Sequence, residues 1–249
     1  MRKAMTVNSA EILSAPALLA VAETFAGYGS ARILQNLSFQ VEHNEILAII
    51  GRNGVGKTTL MKTLIGMLRL VEGRIEYKGE DIGRLRPSRR AKRGIAYVPQ
   101  GRGIFARMSV SENLLLGQGL GGGHRKANYD RAYEFFPFLK ERGSQKAGSL
   151  SGGEQQQLAI GRVLVGQPEL ILLDEPSEGV QPNIVQEIGE NIRRLAKQEG
   201  LTVIIVEQNL ELIHSVADRC IVMDKGTIVA HLTSEEITDP EVAKRYLAI

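Results

Sequence analysis

The sequence predicts an α/β fold in which helices cover a parallel core sheet, with an antiparallel β segment at the start and a helical subdomain inserted later. Short β-type runs separated by turns fill residues 18–50, and a glycine-rich loop then opens a helix. The runs 170–173 and 203–206 are apolar throughout, as expected of strands buried on both faces. Helical patterns replace this alternation over residues 101–165, which predicts the inserted helical subdomain.

The length and composition indicate one large domain. The chain has 249 residues, of which 43% are hydrophobic and 24% charged, and we assign residues 17–249 to the domain and 1–16 to a flexible tail. A chain of this length buries roughly 70% of its unfolded surface, so its stability needs neither disulfides nor structural metals. The single cysteine, Cys220, lies in an apolar run and is expected in the core of a protein from a reducing compartment.

The first strands are expected at 19–25, 37–41 and 46–50, and together they form the antiparallel entry. A further strand is expected at 95–98. In the inserted subdomain, helical patterns occur around 112–116 and 129–136, on either side of a flexible glycine-rich segment at 119–123. Four aromatic residues there are expected to form the subdomain's own core rather than a stacking surface for bases: Tyr133, Phe135, Phe136 and Phe138.

The N-terminal region resembles a signal peptide only superficially. Arg2 and Lys3 precede a short apolar stretch, but Pro16 interrupts it and Glu23 follows it. We therefore expect a disordered tail followed by the first strand. No stretch approaches the roughly 18 apolar residues that a membrane-spanning helix requires, so the chain is not expected to cross a bilayer.

A dense basic run occupies residues 84–93, where six of ten residues are Arg or Lys, in a chain of net charge +3. Such a run can indicate binding to nucleic acid or to anionic lipid headgroups. Aromatic residues are absent from it, and Pro87 followed by good helix formers indicates a short solvated helix. We favour the solvated helix and expect no nucleic-acid partner.

A phosphate-binding pattern follows the run 46–50. Its residues are Gly51, Arg52, Asn53, Gly54, Val55, Gly56, Lys57 and Thr58, with Thr59 next in the helix. Small residues let backbone N–H groups converge on phosphates at a helix N-terminus, while Lys57 neutralises charge and the Thr58 hydroxyl reaches Mg²⁺. The alternative is a glycine-rich turn without a ligand, but the position between an apolar strand and a helix favours a nucleotide site.

Two acidic residues end the apolar run 170–173. Asp174 at the strand tip is placed to hold Mg²⁺, and Glu175 to act on the water that attacks the γ-phosphate. An acidic pair after a strand is more often a turn or a helix cap. Its combination with the phosphate-binding pattern favours the catalytic interpretation.

A third motif resembles the signature sequence of ABC ATPases. Its residues are Leu150, Ser151, Gly152, Gly153, Glu154 and Gln155. Ser151 is a plausible N-cap, and the two glycines leave backbone N–H groups open to an anion. The alternative is simply a capped helix over 152–165. One chain already holds a complete phosphate loop, so a second anion site implies the ATP of another subunit, with two ATP molecules bound head to tail.

The resemblance covers the chain from about residue 18 and implies a P-loop NTPase fold. It implies that Tyr28 stacks on adenine, and that Gln100 contacts Mg²⁺ and the γ-phosphate and reports to membrane subunits. It also implies that the loop 177–182 crosses to the partner beside its signature. The implied ligands are ATP and Mg²⁺, with Thr58, Gln100 and Asp174 at the metal.

One position departs from the family pattern, because Gln208 follows the run 203–206 where a histidine is usual. Glutamine can donate a hydrogen bond to the γ-phosphate but cannot become charged. We assign catalytic roles to Lys57, Glu175 and Gln208. The sequence Val206-Glu207-Gln208 resembles the sequence at the same point in one of the two ATPases of branched-chain amino acid importers, and in the related urea and short-amide importers.

The resemblance implies an ATP-hydrolysing subunit that powers an importer from the cytoplasmic face of the membrane. Its implied partners are a second ABC ATPase chain, as a homodimer or heterodimer, two transmembrane permease subunits and, indirectly, a periplasmic solute-binding protein. One rival is an ABC-type ATPase of DNA repair or ribosomes, but Gln100 and Ser151 lie only 51 positions apart, which leaves no room for a coiled-coil insertion. The other is a non-hydrolysing regulatory subunit, against which Asp174 and Glu175 both argue.

Overall fold

The computed structural model describes residues 17–119, 127–233 and 235–238. The strands are β1 (Leu19–Tyr28), β2 (Ala31–Val41), β3 (Ile46–Ile50), β4 (Leu70–Tyr77), β5 (Glu80–Asp81), β6 (Ile95–Val98), β7 (Leu170–Asp174), β8 (Thr202–Val206), β9 (Arg219–Asp224) and β10 (Thr227–Thr233). The α-helices are α1 (Lys57–Ile65), α2 (Pro87–Lys92), α3 (Val110–Leu116), α4 (Tyr129–Phe135), α5 (Phe138–Glu141), α6 (Gly152–Leu164), α7 (Pro182–Glu199) and α8 (Leu210–Val216). The predicted tail, and the glycine-rich segment except for its first residue, lie outside the described residues.

A six-stranded sheet forms the centre of the molecule, in the order β10-β9-β3-β8-β7-β6. Five of its strands are parallel and β10 is antiparallel to β9. This confirms the predicted α/β fold with a parallel core sheet. The assignment of 46–50 to the antiparallel entry was wrong, because β3 pairs in parallel with both β8 and β9. All five residues of β3 are buried, which is the pattern of a central strand covered on both faces.

A second sheet, in the order β2-β1-β4-β5, is antiparallel throughout and forms the entry that the sequence predicted. Strand β1 continues beyond the predicted end at residue 25 to Tyr28, which pairs with Ala31 across a tight turn. A bulge interrupts β1 near Glu23, whose φ is +46°. Across from the bulge, a side chain at Gly73 would lie 2.3 Å from the Glu23 carbonyl oxygen, so only glycine fits there.

Two hydrophobic cores lie on opposite faces of the central sheet. Alternate residues of β3 divide between them, because successive side chains of a strand point to opposite faces. Ile46, Ala48 and Ile50 pack with α6, α7 and α8, whereas Leu47 and Ile49 pack with α1 and the antiparallel sheet. Each fully buried Leu or Ile contributes about 2 kcal/mol by leaving water. The carboxyl ends of the parallel strands are thereby held between two packed layers.

Local sequence sets the ends of several helices. Helices α3 and α6 each begin with a capping box, from Ser109 with Glu112 and from Ser151 with Glu154. Helix α7 has proline at its first position and is followed by Gly200, whose φ of +69° suits the residue after a helix. Among the described residues, none of the helices has both the length and the apolar content needed to traverse a bilayer.

Helices α3 to α6 lie between β6 and β7, where the helical subdomain was predicted. The limits of the subdomain and of the tail stay predictions. Phe135 and Phe136 are buried, and Tyr133 and Phe138 pack against the same core. That core also contains residues of the central sheet, and Asn191 of α7 donates to the Phe135 carbonyl oxygen over 3.0 Å. The aromatic residues therefore join the main core instead of forming a separate one.

The basic run does contain a short helix, α2, but it is not fully solvated. Arg90 is only 1% exposed, and burial lowers its pKa to about 10. Its guanidinium donates to four carbonyl oxygens at 2.7 to 3.1 Å, those of Thr63, Leu64, Gly83 and Leu85. The first two belong to the last turn of α1, where carbonyl groups lack partners within the helix. Arg90 thus joins α2 to the far end of α1.

Candidate functional site

The glycine-rich loop between β3 and α1 adopts backbone conformations that suit glycine. Gly51, Gly54 and Gly56 have φ values of +152°, +81° and +110°. A side chain at Gly51 would lie 2.3 Å from the Met223 carbonyl oxygen, so the loop passes directly over β9. Helix α1 then begins without a side-chain cap and without an acidic residue in its first turn. Its first amides are therefore available to an anionic group, as phosphate binding requires.

Lys57 is only 4% exposed and points back into the loop. Its Nζ donates to the carbonyl oxygens of Gly51 and Arg52 at 2.8 and 3.1 Å, and lies 3.8 Å from Glu175 Oε1. Burial lowers the pKa of Lys57, and the carboxylates of Glu175 and Asp174 oppose this shift. A phosphate at this loop would gain a cation already placed among the converging backbone groups.

Asp174 ends β7 and receives two hydrogen bonds. Thr58 Oγ1 donates to its Oδ1 over 3.1 Å, and the Tyr97 hydroxyl donates to its Oδ2 over 2.9 Å. Burial raises the pKa of Asp174, and the two hydrogen bonds oppose the rise. Burial and the nearby carboxylate also raise the pKa of Tyr97, which keeps its hydroxyl a donor. The structure thus joins Thr58 of α1 to Asp174 of β7, two of the residues expected at Mg²⁺.

Glu175 lies at the centre of a hydrogen-bonded group. Its backbone φ is +50°, and its N–H donates to the Val206 carbonyl oxygen over 2.9 Å. This hydrogen bond fixes the direction of the chain where it leaves β7. Gln100 Nε2 donates to Glu175 Oε2 over 3.1 Å, and Gln208 Nε2 donates to Glu175 Oε1 over 2.9 Å. Three loops, after β6, β7 and β8, therefore meet at one carboxylate.

The departure at Gln208 has a geometric explanation. Its amide nitrogen also donates to Asn53 Oδ1 over 2.7 Å, so one NH₂ group contacts both the phosphate loop and Glu175. An amide NH₂ carries two donors, whereas each nitrogen of a histidine carries at most one N–H. Glutamine can therefore bridge the two acceptors from a single atom without carrying charge.

The residues expected at Mg²⁺ offer oxygen ligands, the type this ion prefers. Thr58 and Asp174 are in contact, whereas the side chain of Gln100 is directed at Glu175 instead of Asp174. Within the described residues, no three His, Cys, Asp or Glu side chains group closely enough to hold a metal. The residues present fit Mg²⁺ bound together with phosphate, because phosphate oxygens would complete the oxygen ligands of which Thr58 and Asp174 supply only a part.

Tyr28 ends β1 and is 49% exposed. The antiparallel sheet that carries it is tied to the phosphate loop through Gly226. The Gly226 N–H donates to the Val55 carbonyl oxygen over 2.9 Å, and its carbonyl oxygen accepts from the Gln35 N–H over 2.8 Å. An exposed ring on a sheet anchored to this loop suits contact with a flat base.

The signature residues lie at the start of α6. Ser151 Oγ accepts from the Glu154 N–H over 3.3 Å, and Glu154 Oε2 accepts from the Ser151 N–H over 2.8 Å. Arg142 donates to Glu154 Oε1 over 2.7 Å. The amides of Gly152 and Gly153 take no part in this capping box. Within the part of the chain described, the hydrogen bonds of this motif stay in the helical segment and do not reach the phosphate loop.

Three polar residues near the site were not assigned a role from the sequence: Tyr97, Arg102 and Glu207. Tyr97 could have been suspected, because a tyrosine in the short buried strand β6 needs a partner for its hydroxyl. Glu207 directly follows the buried strand β8 and is only 2% exposed, which is rare for a carboxylate. Arg102 gave no comparable indication, because its contacts depend on how α6 packs.

The chain resembles known proteins over most of its length. The model of the ABC transporter family matches residues 34–178. The high-affinity branched-chain amino acid transport ATP-binding protein BraG of Pseudomonas aeruginosa is 45% identical over 225 residues, covering 88% of this chain and 95% of that protein. The lipopolysaccharide export system ATP-binding protein LptB of Haemophilus influenzae is 36% identical over 222 residues, covering 88% and 91%. A crystal structure of the ADP conformation of an ATP-binding cassette from an ABC transporter has a TM-score of 0.79 at 30% identity, covering 94% of this chain and 99% of that one.

Proposed function

Because the chain belongs to the ABC transporter family as an ATP-binding, ATP-hydrolysing subunit, we propose that it powers an importer of branched-chain amino acids or of urea and related short amides. The observation that carries this proposal is the identity to the branched-chain amino acid relative, which exceeds the identity to the lipopolysaccharide export relative. Gln208, directly after Glu207, is consistent with it, because this sequence resembles the importer group.

In the proposed reaction, the residues of the phosphate loop and Asp174 hold Mg²⁺–ATP. Lys57 and the first amides of α1 neutralise phosphate charge, while Thr58 and Asp174 hold the metal. Mg²⁺ supplies charge neutralisation at the phosphate oxygens. An Asp174→Asn substitution should therefore raise the Mg²⁺ concentration that half-saturates nucleotide binding by about tenfold or more. Titration of a fluorescent ATP analogue with Mg²⁺ measures this, and an unchanged midpoint would remove Asp174 from the metal site.

We assign the general-base role to Glu175. Gln100 and Gln208 each donate to one of its carboxylate oxygens, and those oxygens retain lone pairs that can accept a proton from water. The two side-chain amides thus orient the carboxylate without placing a charge beside it. Tyr28 would stack on the adenine, and Ser151 with the two following glycines would contact the γ-phosphate bound by a second chain.

The proposed assembly contains a second ATPase chain, two permease subunits and, indirectly, a periplasmic solute-binding protein, at the cytoplasmic face of the membrane. Among the described residues between Gln100 and Ser151, three large apolar side chains are at least 44% exposed: Phe105, Leu115 and Leu116. Exposed apolar side chains of this size are common at protein interfaces. We expect these exposed side chains to contact a permease subunit.

Uptake measurements test the proposed function in the native host. Deletion of the gene should abolish high-affinity uptake of labelled leucine, or of labelled urea, and the wild-type gene should restore it. A Glu175→Gln gene should not, although the protein is made in the same amount. Normal uptake of both solutes after deletion, together with loss of lipopolysaccharide export, would replace the importer assignment by an exporter.

A further inference from the structure

The loop between β7 and α7 is held on one side by the buried carboxylate of Glu207. Glu207 Oε1 accepts from the Ser177 N–H over 2.8 Å. Its Oε2 accepts from the N–H groups of Gln208 and Asn209 over 2.8 and 3.0 Å. Hydrogen bonds to an ionised acceptor are roughly twice as strong as neutral ones. One carboxylate therefore connects the loop after β7 to the loop that carries Gln208.

The same loop is held on its other side by Arg102. The guanidinium donates to the carbonyl oxygens of Gly179 and Glu178 over 3.2 and 3.4 Å, and to Gln155 Oε1 of α6 over 3.1 Å. The packing here is close. A side chain at Gly152 would lie 2.9 Å from the Gly179 carbonyl oxygen and 3.0 Å from Arg102 Nη2. Arg102 therefore connects the loop after β7 to the first turn of α6.

We propose that Glu207 and Arg102 are positioning residues, which hold the segment 177–179 as a fixed bridge between Gln208 and the first turn of α6. The Glu178 N–H donates to the Glu175 carbonyl oxygen over 3.2 Å, so the position of the segment affects the position of the catalytic carboxylate. Loss of the hydrogen bonds from either Glu207 or Arg102 to the segment should displace both Glu175 and the start of α6. The inference rests on ATP hydrolysis by this family and not on the transported solute, so failure of the importer assignment would leave it intact.

A Glu207→Gln variant tests the first end. The amide keeps the size of the side chain but replaces one acceptor oxygen by an NH₂ group facing a backbone N–H, because both oxygens are in use. We expect the kcat for ATP to fall about tenfold, while the KM changes less than about threefold. Assays use the full chain, together with its partner subunits if hydrolysis requires them.

Glu45→Gln is the matched control. Glu45 is 9% exposed, accepts from the Glu42 N–H over 2.7 Å and pairs with Arg219, at the opposite end of β3 from the phosphate loop. It therefore matches the loss of a buried, hydrogen-bonded carboxylate without contacting the segment 177–179. We expect its kcat to stay within about twofold of the wild-type value even if its thermal midpoint falls. Equal losses of kcat in Glu207→Gln and Glu45→Gln would show that Glu207 only stabilises the fold, and this result would overturn the proposal.

Arg102→Gln tests the other end of the bridge. Arg102 is only half-buried, so we expect this variant to fold even if Glu207→Gln does not. We expect a loss of kcat with little change in KM, and a partial recovery with Arg102→Lys, which keeps the charge but not the planar fork. In the double variant the loss should be smaller than the product of the single losses, because both residues act on one segment. Independent, multiplying losses, or a wild-type kcat in folded Arg102→Gln, would contradict the proposed bridge.

Discussion

The phosphate-loop region and the start of α6 both offer backbone amides at a helix N-terminus, but they differ in how they are built. At the phosphate loop, the side chain of Lys57 is buried and that of Glu175 is 13% exposed, and groups from α1, β7 and the loops around them are linked by hydrogen bonds. At α6, Ser151 and Glu154 form a capping box at the surface, which Arg142 joins by donating to Glu154, and these hydrogen bonds do not reach the phosphate loop.

This difference indicates where each region finds its ligand. The phosphate-loop region holds the buried cation of Lys57 beside the carboxylate of Asp174, and burial lowers the pKa of Lys57 and raises that of Asp174, as expected of a site that binds nucleotide within the chain. At the start of α6, Ser151 is exposed, Gly152 is half-buried and Gly153 is buried, and the capping box does not use the amides of the two glycines. We infer that the second region completes the site of another chain. Four predictions test the comparison.

The largest effect is expected from Lys57→Ala, which removes the buried cation of the phosphate-loop region. Nucleotide affinity or turnover should fall by about a hundredfold or more, because the phosphates lose the buried cation that lies among the converging backbone groups of the loop. The control is Lys62→Ala in the last turn of the same helix, which should change neither. Equilibrium binding and steady-state hydrolysis measure both variants. Wild-type hydrolysis by Lys57→Ala would remove this region as the nucleotide site.

Glu175→Gln should separate binding from hydrolysis. The amide cannot accept a proton from water, so hydrolysis should slow by about a hundredfold or more while ATP binding is retained. The variant should then accumulate as an ATP-bound dimer, in which α6 of each chain faces the other chain's nucleotide. Size-exclusion chromatography at saturating ATP checks this, with Glu190→Gln, an exposed change in α7, as control. A monomer under these conditions would argue against the outward role of α6.

Ser151→Arg should disable about half of the sites in a dimer of two different chains. The bulky cation at the start of α6 blocks the γ-phosphate bound by the partner, while the phosphate loop of the mutated chain keeps its own ATP. Combining this substitution with Lys57→Ala in the same chain, or with the equivalent lysine change in the partner, identifies the surviving site. If Ser151→Arg impaired only its own chain's nucleotide, the head-to-tail arrangement would be falsified.

The smallest effect on activity is expected from Arg90→Met, which acts at the far end of α1. The substitution leaves four carbonyl oxygens without their charged donor, so the free energy of unfolding should fall by about 3 kcal/mol. Well below the melting temperature, hydrolysis should stay close to wild type. Arg89→Met, an exposed change in the same helix, should cost less than about 0.5 kcal/mol. Urea titrations that gave both variants the same stability would refute the structural role of Arg90.

The sequence by itself determined the features that depend on neighbouring residues. The phosphate-loop pattern, the acidic pair ending β7 and the N-cap at Ser151 each occupy a few consecutive positions, and the family resemblance they carried is confirmed by the match over residues 34–178. The strands at 95–98, 170–173 and 203–206 were predicted because each is a short apolar run flanked by glycine, proline or polar residues, which favours a buried strand over a helix.

The tertiary structure alone decided the features that join distant parts of the chain. Tyr97 meets Asp174 across 77 positions, and Arg90 meets the end of α1 across 26 and 27. The parallel pairing of β3 was missed for the same reason, because a short apolar strand does not specify which strands will flank it. Sheet order and helix packing settle such contacts, and they arise from the burial of the whole core instead of from any local pattern.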